Sequence, residues 1–219
     1  MDANGTNGHL CTGASSHVTV LDQDRSLLQL MTIIRDVNTG HRDFCSATEK
    51  VVTRLISTAL NNVPSEECTI QTPIGASYKG LRFTKGVCGV SILRAGTSME
   101  QVLRDTWMGP LTFGKLLIQR DETTSLAQIY YSKLPSRITK DATGGSVIKA
   151  VETLKEHGVS EGSIILVNIV SSKKGLDLVC GKYPSLKIVS AAVDMDLTPK
   201  NYIHPGLGDF GDRYYGTCE

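Results

Sequence analysis

Three short apolar runs constrain this chain more than anything else in it. Gly86–Leu93 reads GVCGVSIL, Ser163–Val170 reads SIILVNIV and Leu186–Val193 reads LKIVSAAV. None alternates cleanly between apolar and polar residues. Each therefore predicts a strand buried on both faces, and such strands belong to parallel sheets covered by helices. The segments between them have helical spacing. Val147, Ala150, Val151 and Leu154 mark a helix from about Gly145 to Gly158, and Leu176, Val179, Cys180 and Tyr183 mark the next. This alternation predicts an α/β fold with a largely parallel sheet flanked by helices.

The flanking segments fit the same plan. Leu27, Leu28, Met31 and Ile34 form one helical face. A second helix is expected from Thr48 to about Leu60, stopped by Asn61 and Asn62 with Pro64 beyond. Residues 68–83 read as strand, Pro-Ile-Gly turn and strand. Thr97–Thr106 reads as a helix, Lys115–Ile118 as a strand and Gln128–Tyr131 as one side of a hairpin. Residues 1–20, rich in Gly, Ser, Thr and Asn, predict a disordered tail. Residues 21–219 predict a single domain. Its last part, about 195–219, is punctuated by Gly206, Gly208, Gly211 and Gly216 and reads as an irregular flap.

Charge and composition remove several functional classes. The chain carries 23 Lys+Arg against 22 Asp+Glu, a net charge of +1. That leaves no basic face for a nucleic acid or an anionic membrane. Aromatics at 5% argue against stacking platforms for single strands. The first twenty residues lack a basic region followed by an apolar run, so no secretory signal is expected, and no window suits a membrane span. The six cysteines include no C-x-x-C pair. They predict ordinary thiols in a reducing cytoplasm rather than a disulfide framework or a zinc site.

Several segments carry candidate chemistry. Thr143-Gly144-Gly145-Ser146 precedes the 145–157 helix, where backbone N–H groups, two hydroxyls and the helix dipole suit a phosphate. The same residues also suit an ordinary cap with turn glycines. Ser91–Glu100 reads as a strand ending in Arg94-Ala95-Gly96 before a helix. A second strand ends at Gln119-Arg120-Asp121. Ligands in parallel sheets bind beyond the carboxyl ends of strands, and an arginine there suits a pyrophosphate. In the tail, glycines bracket Asp209-Phe210. Such a loop can bring main-chain donors and acceptors to a flat polar ligand, with Phe210 or Tyr202 over its face.

Taken together, GVSILRAGTSMEQVLRD, GKLLIQRDETT, ATGGSVIKAVETLKEHGV, KIVSAAVD and YIHPGLGDFGDRYYGT resemble the uracil phosphoribosyltransferase family. The resemblance spans about Leu27 to Thr217. It implies a type I phosphoribosyltransferase fold with a C-terminal hood. It also implies attack of uracil on C1′ of 5-phosphoribosyl 1-pyrophosphate, giving UMP and pyrophosphate in pyrimidine salvage. By motif, Arg94, Ala95, Gly96 and Arg120 hold the pyrophosphate, with Arg104 near that site. Ala142, Thr143, Gly144, Gly145 and Ser146 cradle the 5′-phosphate. Ile203, Gly208 and Phe210 read uracil through backbone atoms, and Tyr202 packs beside it. Asp209 sits near the reacting nitrogen and, with Arg94 and Arg120, makes up the expected catalytic set. Mg²⁺ rides on the substrate's diphosphate with no direct protein ligand. Family members are homodimers or homotetramers, and some are activated by GTP.

One departure bears on turnover. The family has a buried strand ending in Asp-Pro-Met-Leu before Ala-Thr-Gly-Gly-Ser, and its Asp holds the ribose hydroxyls. Here only Ser136-Arg137-Ile138-Thr139-Lys140-Asp141 separates Pro135 from Ala142. Six residues cannot supply both a strand of about five residues and the acidic loop, and the Asp position falls on Ile138. The expectation is a truncated central strand and impaired activity. A non-catalytic uracil- or UMP-binding relative is the alternative. An RNA-binding regulator on the same fold is disfavoured by the net charge. His204, where the family has an apolar residue, and Cys45-Ser46-Ala47, where it is more aromatic, are smaller departures.

Overall fold

The computed structural model describes residues 17–120, 127–135, 147–198 and 202–217. After β1 (Val18–Val20), α1 (Arg25–Arg35) starts where Asp24 accepts a hydrogen bond from the Leu27 N–H at 2.7 Å. The same carboxylate pairs with Arg54 on α2 (His41–Leu60), which ties the two helices together. Hydrogen bonding from Arg54, aided by the Leu27 N–H, lowers the Asp24 pKa to about 2. Helix α2 buries one face: Phe44, Ala47, Val51, Val52, Leu55, Ile56 and Ala59.

Strands β2 (Ser65–Gln71) and β3 (Ser77–Phe83) form an antiparallel hairpin. Its turn uses Gly75 at φ +78°, a conformation that side chains resist. Next come β4 (Val87–Leu93), a 3₁₀ segment (Ala95–Met99), α3 (Glu100–Thr106), β5 (Leu111–Arg120) and β6 (Ala127–Lys133). Then follow α4 (Val147–Glu156), β7 (Ile165–Ser172), α5 (Lys173–Lys182) and β8 (Lys187–Asp194). The C-terminal segment, for which the name hood is kept, contains β9 (Asp196–Leu197), β10 (Ile203–His204) and α6 (Phe210–Tyr215).

Among the described residues the main strands form two three-stranded sheets, β1-β8-β7 and β4-β5-β6. All pairings in the first are parallel, as is β4 with β5, while β6 runs antiparallel to β5. The period-2 alternation of a strand sends neighbouring side chains to opposite faces. Ile165, Val167, Ile169 and Val189 enter the core made with α1, α2 and α3. Leu166 and Ile188 enter the core made with α4 and α5. Two cores, one on each face, explain why β7 and β8 read as continuous apolar runs. Both β4 and β7 contribute to each core, so the two sheets share one layer between the helices. Among the described residues, no helix is long and apolar enough to cross a membrane.

The α/β reading holds, with corrections at the boundaries. The expected disordered tail 1–20 includes Val18–Val20, which pair with Ile188–Ser190 as β1. Helix α2 starts at His41, not Thr48, because Phe44 and Ala47 extend its buried stripe by two more turns. The helix expected over Thr97–Thr106 is 3₁₀ for its first part. The flap is not wholly irregular, since Asp209 caps a short helix in it. The truncated strand and the phosphate loop, residues 136–146, lie outside the described residues.

Ile188 is fully buried at the centre of β1-β8-β7. Ile188→Ala is expected to cost about 2–5 kcal/mol through lost burial and a residual cavity. The shift of the urea unfolding midpoint measures it.

Candidate active site

The site is assembled from the carboxyl ends of β4, β5 and β8 and from the hood. At the end of β8, Asp194 is 7% exposed. Arg35, the last residue of α1, donates two hydrogen bonds to its carboxylate, both 2.8 Å. Arg35 Nη1 also donates to the Gly206 carbonyl at 2.7 Å, and the Gly206 N–H donates to Asp194 Oδ2 at 2.9 Å. One ion pair thus holds both polar groups of a hood residue. Gly206 has φ +62°, and a Cβ there would lie 2.2 Å from the Ile203 carbonyl oxygen. Only glycine closes this turn. The His204–Pro205 peptide within it is cis. Burial pushes the Asp194 carboxyl up, but Arg35 and the Gly206 N–H outweigh it, so its pKa falls below the ordinary value.

Arg213 anchors the other side of the hood. It donates to the carbonyls of Ile34, Leu207 and Asp36 at 2.6, 2.8 and 2.7 Å. Its guanidinium lies 4.3 Å from the Phe44 ring centre, and His41 Nε2–H donates to the Tyr214 carbonyl at 2.9 Å. Phe210 packs between Phe44 and Tyr214, with ring centroids 5.7 and 5.5 Å away. This corrects one expectation: the Phe210 ring belongs to the hood's anchor and is not free to cover a ligand. Its backbone N–H opens α6, where helical N–H groups lack intrahelical partners. Asp209 caps that helix by accepting from the Asp212 N–H at 3.0 Å, and its residue is exposed. Gly208, at φ +80°, is exposed beside it. Ile203 pairs with Leu197 in the β9–β10 ribbon, and Tyr202 stands 67% exposed at its edge.

Arg94 follows the last residue of β4, and the Leu93–Arg94 peptide is cis. Its Nη2 donates to Asp212 Oδ1 at 2.6 Å and its Nη1 to Thr217 Oγ1 at 3.2 Å. Thr217 in turn donates to Asp212 at 2.7 Å. Tyr215 donates to the Arg94 carbonyl at 3.2 Å, Thr97 donates to the same carbonyl at 2.6 Å, and the two hydroxyls meet each other. Hydrogen bonds from Thr217 and Arg94 lower the Asp212 pKa, and Asp212 raises that of Arg94. Ala95 and Gly96 begin the 3₁₀ segment. Gly96 is buried, and a Cβ there would come 3.1 Å from the Ser91 Cα, so it lets the segment fold back onto β4. Inside the sheet, Ser91 donates to Glu100 at 2.6 Å, and Lys115 lies 3.5 Å from that carboxylate.

The backbone of Arg120 ends β5. Leu93 and Leu117 are partners, so Arg120 lies at the same end of the sheet as Arg94. Arg104 does not. Its guanidinium stacks 4.7 Å over Phe113, whose strand partner is Gly89, four positions before Leu93. That is about 13 Å along the strand at 3.3 Å per residue, so the expected place of Arg104 near the pyrophosphate is corrected. Ala142, Thr143, Gly144, Gly145 and Ser146 lie outside the described residues. The residues missed from the sequence are Asp212, Tyr215, Thr217, Arg35 and Asp194. The signal available for the first three was the run of charged and hydroxyl side chains between Gly211 and Thr217. Nothing local marks Arg35, whose partners lie 159 and 171 residues away.

Residues 20–217 match the family model described as uracil phosphoribosyltransferase. The chain is 42% identical to uracil phosphoribosyltransferase 2 of Schizosaccharomyces pombe over 211 residues, covering 92% of this chain and 96% of that one. It is 43% identical to uracil phosphoribosyltransferase of Dictyostelium discoideum over 210 residues, covering 92% and 97%. Both alignments are longer than 92% of 219 residues, so several aligned positions have no residue in this chain. Among solved structures, the AQ2163 protein from Aquifex aeolicus matches with a TM-score of 0.74 and 27% identity, covering 90% of this chain and 97% of that one.

The Asp194 pair predicts a pH signature. A carboxyl whose folded pKa is depressed stabilises the fold above its unfolded value, here 3.8, and that contribution is lost as pH falls through the lower folded value. Arg35→Ala leaves a buried carboxylate without its cation and is expected to cost about 3 kcal/mol at neutral pH. In that variant burial raises the pKa, so acidification should relieve part of the loss. Urea midpoints from neutral pH down to about 3 check both slopes.

Proposed function

The chain belongs to the uracil phosphoribosyltransferase family, and on that premise we propose that it transfers phosphoribosyl from 5-phosphoribosyl 1-pyrophosphate to uracil. The products are UMP and pyrophosphate. The observation that carries the reading is the joining of the Arg94 loop to the hood helix through Asp212, 118 residues away. It brings the arginine assigned to the leaving group and the base-reading loop to one place.

In this mechanism a ring nitrogen of uracil forms a bond to C1′ as the bond from C1′ to the pyrophosphate oxygen breaks. The nitrogen's proton leaves to Asp209, directly or through water. The transition state resembles an oxocarbenium ion, so positioning and stabilisation of the departing pyrophosphate supply most of the catalysis. Arg94 and Arg120 meet the diphosphate, and Ala142 through Ser146 meet the 5′-phosphate. The backbone of Ile203, Gly208 and Phe210 reads the uracil edge, with Tyr202 beside the ring. The rigid closure of the hood by Arg35, Asp194 and Arg213 suits backbone recognition, which tolerates little movement. Mg²⁺ enters on the substrate's diphosphate.

The six-residue segment Ser136–Asp141 lowers the expected turnover, because the carboxylate that holds the ribose hydroxyls in the family falls on Ile138 here. The same short segment favours one second reading, a relative that binds uracil or UMP without turning over. A cytoplasmic homodimer or homotetramer, with GTP as an allosteric activator, belongs to the first reading. Light scattering with and without GTP tests the assembly.

Radiolabelled uracil with 5-phosphoribosyl 1-pyrophosphate and Mg²⁺ should give UMP at a rate well below the ordinary enzyme range of ~1–10³ s⁻¹. A rate within that range overturns the expected impairment, and UMP binding without synthesis selects the second reading. Arg94→Ala should weaken pyrophosphate binding roughly tenfold in calorimetry, since a charge-assisted donor is lost. An unchanged affinity removes Arg94 from the diphosphate site.

A further inference from the structure

Arg94 carries five N–H donors in a fixed planar fork. The hood takes one on each terminal nitrogen, through Asp212 Oδ1 and Thr217 Oγ1. The rest of the head stays open, for the side chain is 53% exposed. Gly211 lies against the fork. A Cβ at that position would meet Arg94 Nη2 at 3.4 Å and Asp209 Oδ1 at 3.3 Å. The guanidinium is therefore bounded by the α6 backbone on one side and by Asp212 and Thr217 at its tips. The Arg94 carbonyl is fixed as well, by Tyr215 and Thr97. Asp212 itself lies within α6, three residues after the Asp209 cap, and its own N–H is already used by that cap.

We propose that Asp212 is a positioning residue, which aims the Arg94 fork at the diphosphate and couples that subsite to the hood. The proposal rests on the reading of Arg94 as the diphosphate-binding residue. Arginine is a long, rotamer-rich side chain, and ordering it on binding costs affinity. Asp212 and Thr217 order it beforehand while leaving donors open. Because the same contacts join the β4 loop to α6, an anion on Arg94 and a base at the hood stabilise one arrangement of the hood. Such coupling is reciprocal and typically five- to 150-fold. The contrary reading has Asp212 neutralising Arg94 and competing with the anion, and it makes the opposite prediction.

The test uses Asp212→Ala, which removes the accepting oxygen but keeps a good helix former in α6. Asp212→Asn, which keeps an accepting oxygen, serves as the rescue. Calorimetry with Mg²⁺-pyrophosphate should show affinity falling about fivefold or more in Asp212→Ala and largely recovering in Asp212→Asn. Uracil should bind tighter to the wild type when pyrophosphate is present, and Asp212→Ala should lose that enhancement. A second readout needs no ligand. The ¹⁵N-resolved Nε–H resonance of Arg94, identified by its absence in Arg94→Lys, should lose its dispersion in Asp212→Ala. An unchanged or tighter pyrophosphate affinity, or an Nε–H resonance indifferent to Asp212, overturns the proposal. A wild type that binds no pyrophosphate overturns the functional reading instead, and the resonance still reports on the clasp.

Discussion

The ion pair between Arg35 and the buried Asp194 is the constraint on which the rest of the site depends. It joins the end of the first helix to the end of β8 and holds both backbone polar groups of Gly206. A buried ion pair contributes little net stability when compared with an apolar pair, but removing one partner is costly. Its value here lies in geometry. The loop from Ile203 to Gly208 presents main-chain atoms, and such atoms select a ligand only if the loop keeps one shape. Arg213 repeats the device by bonding three carbonyls drawn from α1, the turn after it and the hood.

The two clasps on the hood differ in kind. The Arg35 contact is buried on the Asp194 side, whereas the Arg94–Asp212 contact has both partners more than a third exposed. Exposed pairs are screened and weak. The hood is therefore hinged firmly at one end and joined lightly at the other, at the end that faces Arg94 and the carboxyl end of β4.

Much of this was legible in the sequence, for reasons that can be stated residue by residue. Gly86–Leu93 and Ser163–Val170 announced buried strands because both faces of each strand meet a core. Arg94 and Arg120 were legible because a strand's end is where its polar residues stop being excluded. The N-terminal half of α2 was not, since His41–Ala47 carries its apolar stripe on Phe44 and Ala47 alone. Arg104 was misplaced because sequence proximity to Arg94 says nothing of direction: α3 carries the chain back along β4, toward the start of β5. The Phe210 ring was misread because its partners, Phe44 and Tyr214, lie on two different helices. Asp212 and Arg35 were invisible because each acquires its meaning from a partner more than 100 residues away.

The short parallel pairing of Val18–Val20 with Ile188–Ser190 has a consequence for how the molecule comes into being. A chain leaves the ribosome N-terminus first. The first strand is thus made early and waits for a partner about 170 residues downstream, and the hood's anchors on α1 wait longer still. Local elements such as the β2–β3 hairpin can close during synthesis, but the β1-β8-β7 sheet and the active site cannot. Long-range closure of this sort slows folding. The residues that anchor to α1, Asp194, Gly206 and Arg213, are made long after it, and the core of α1 and α2 lacks Val189 until β8 is made.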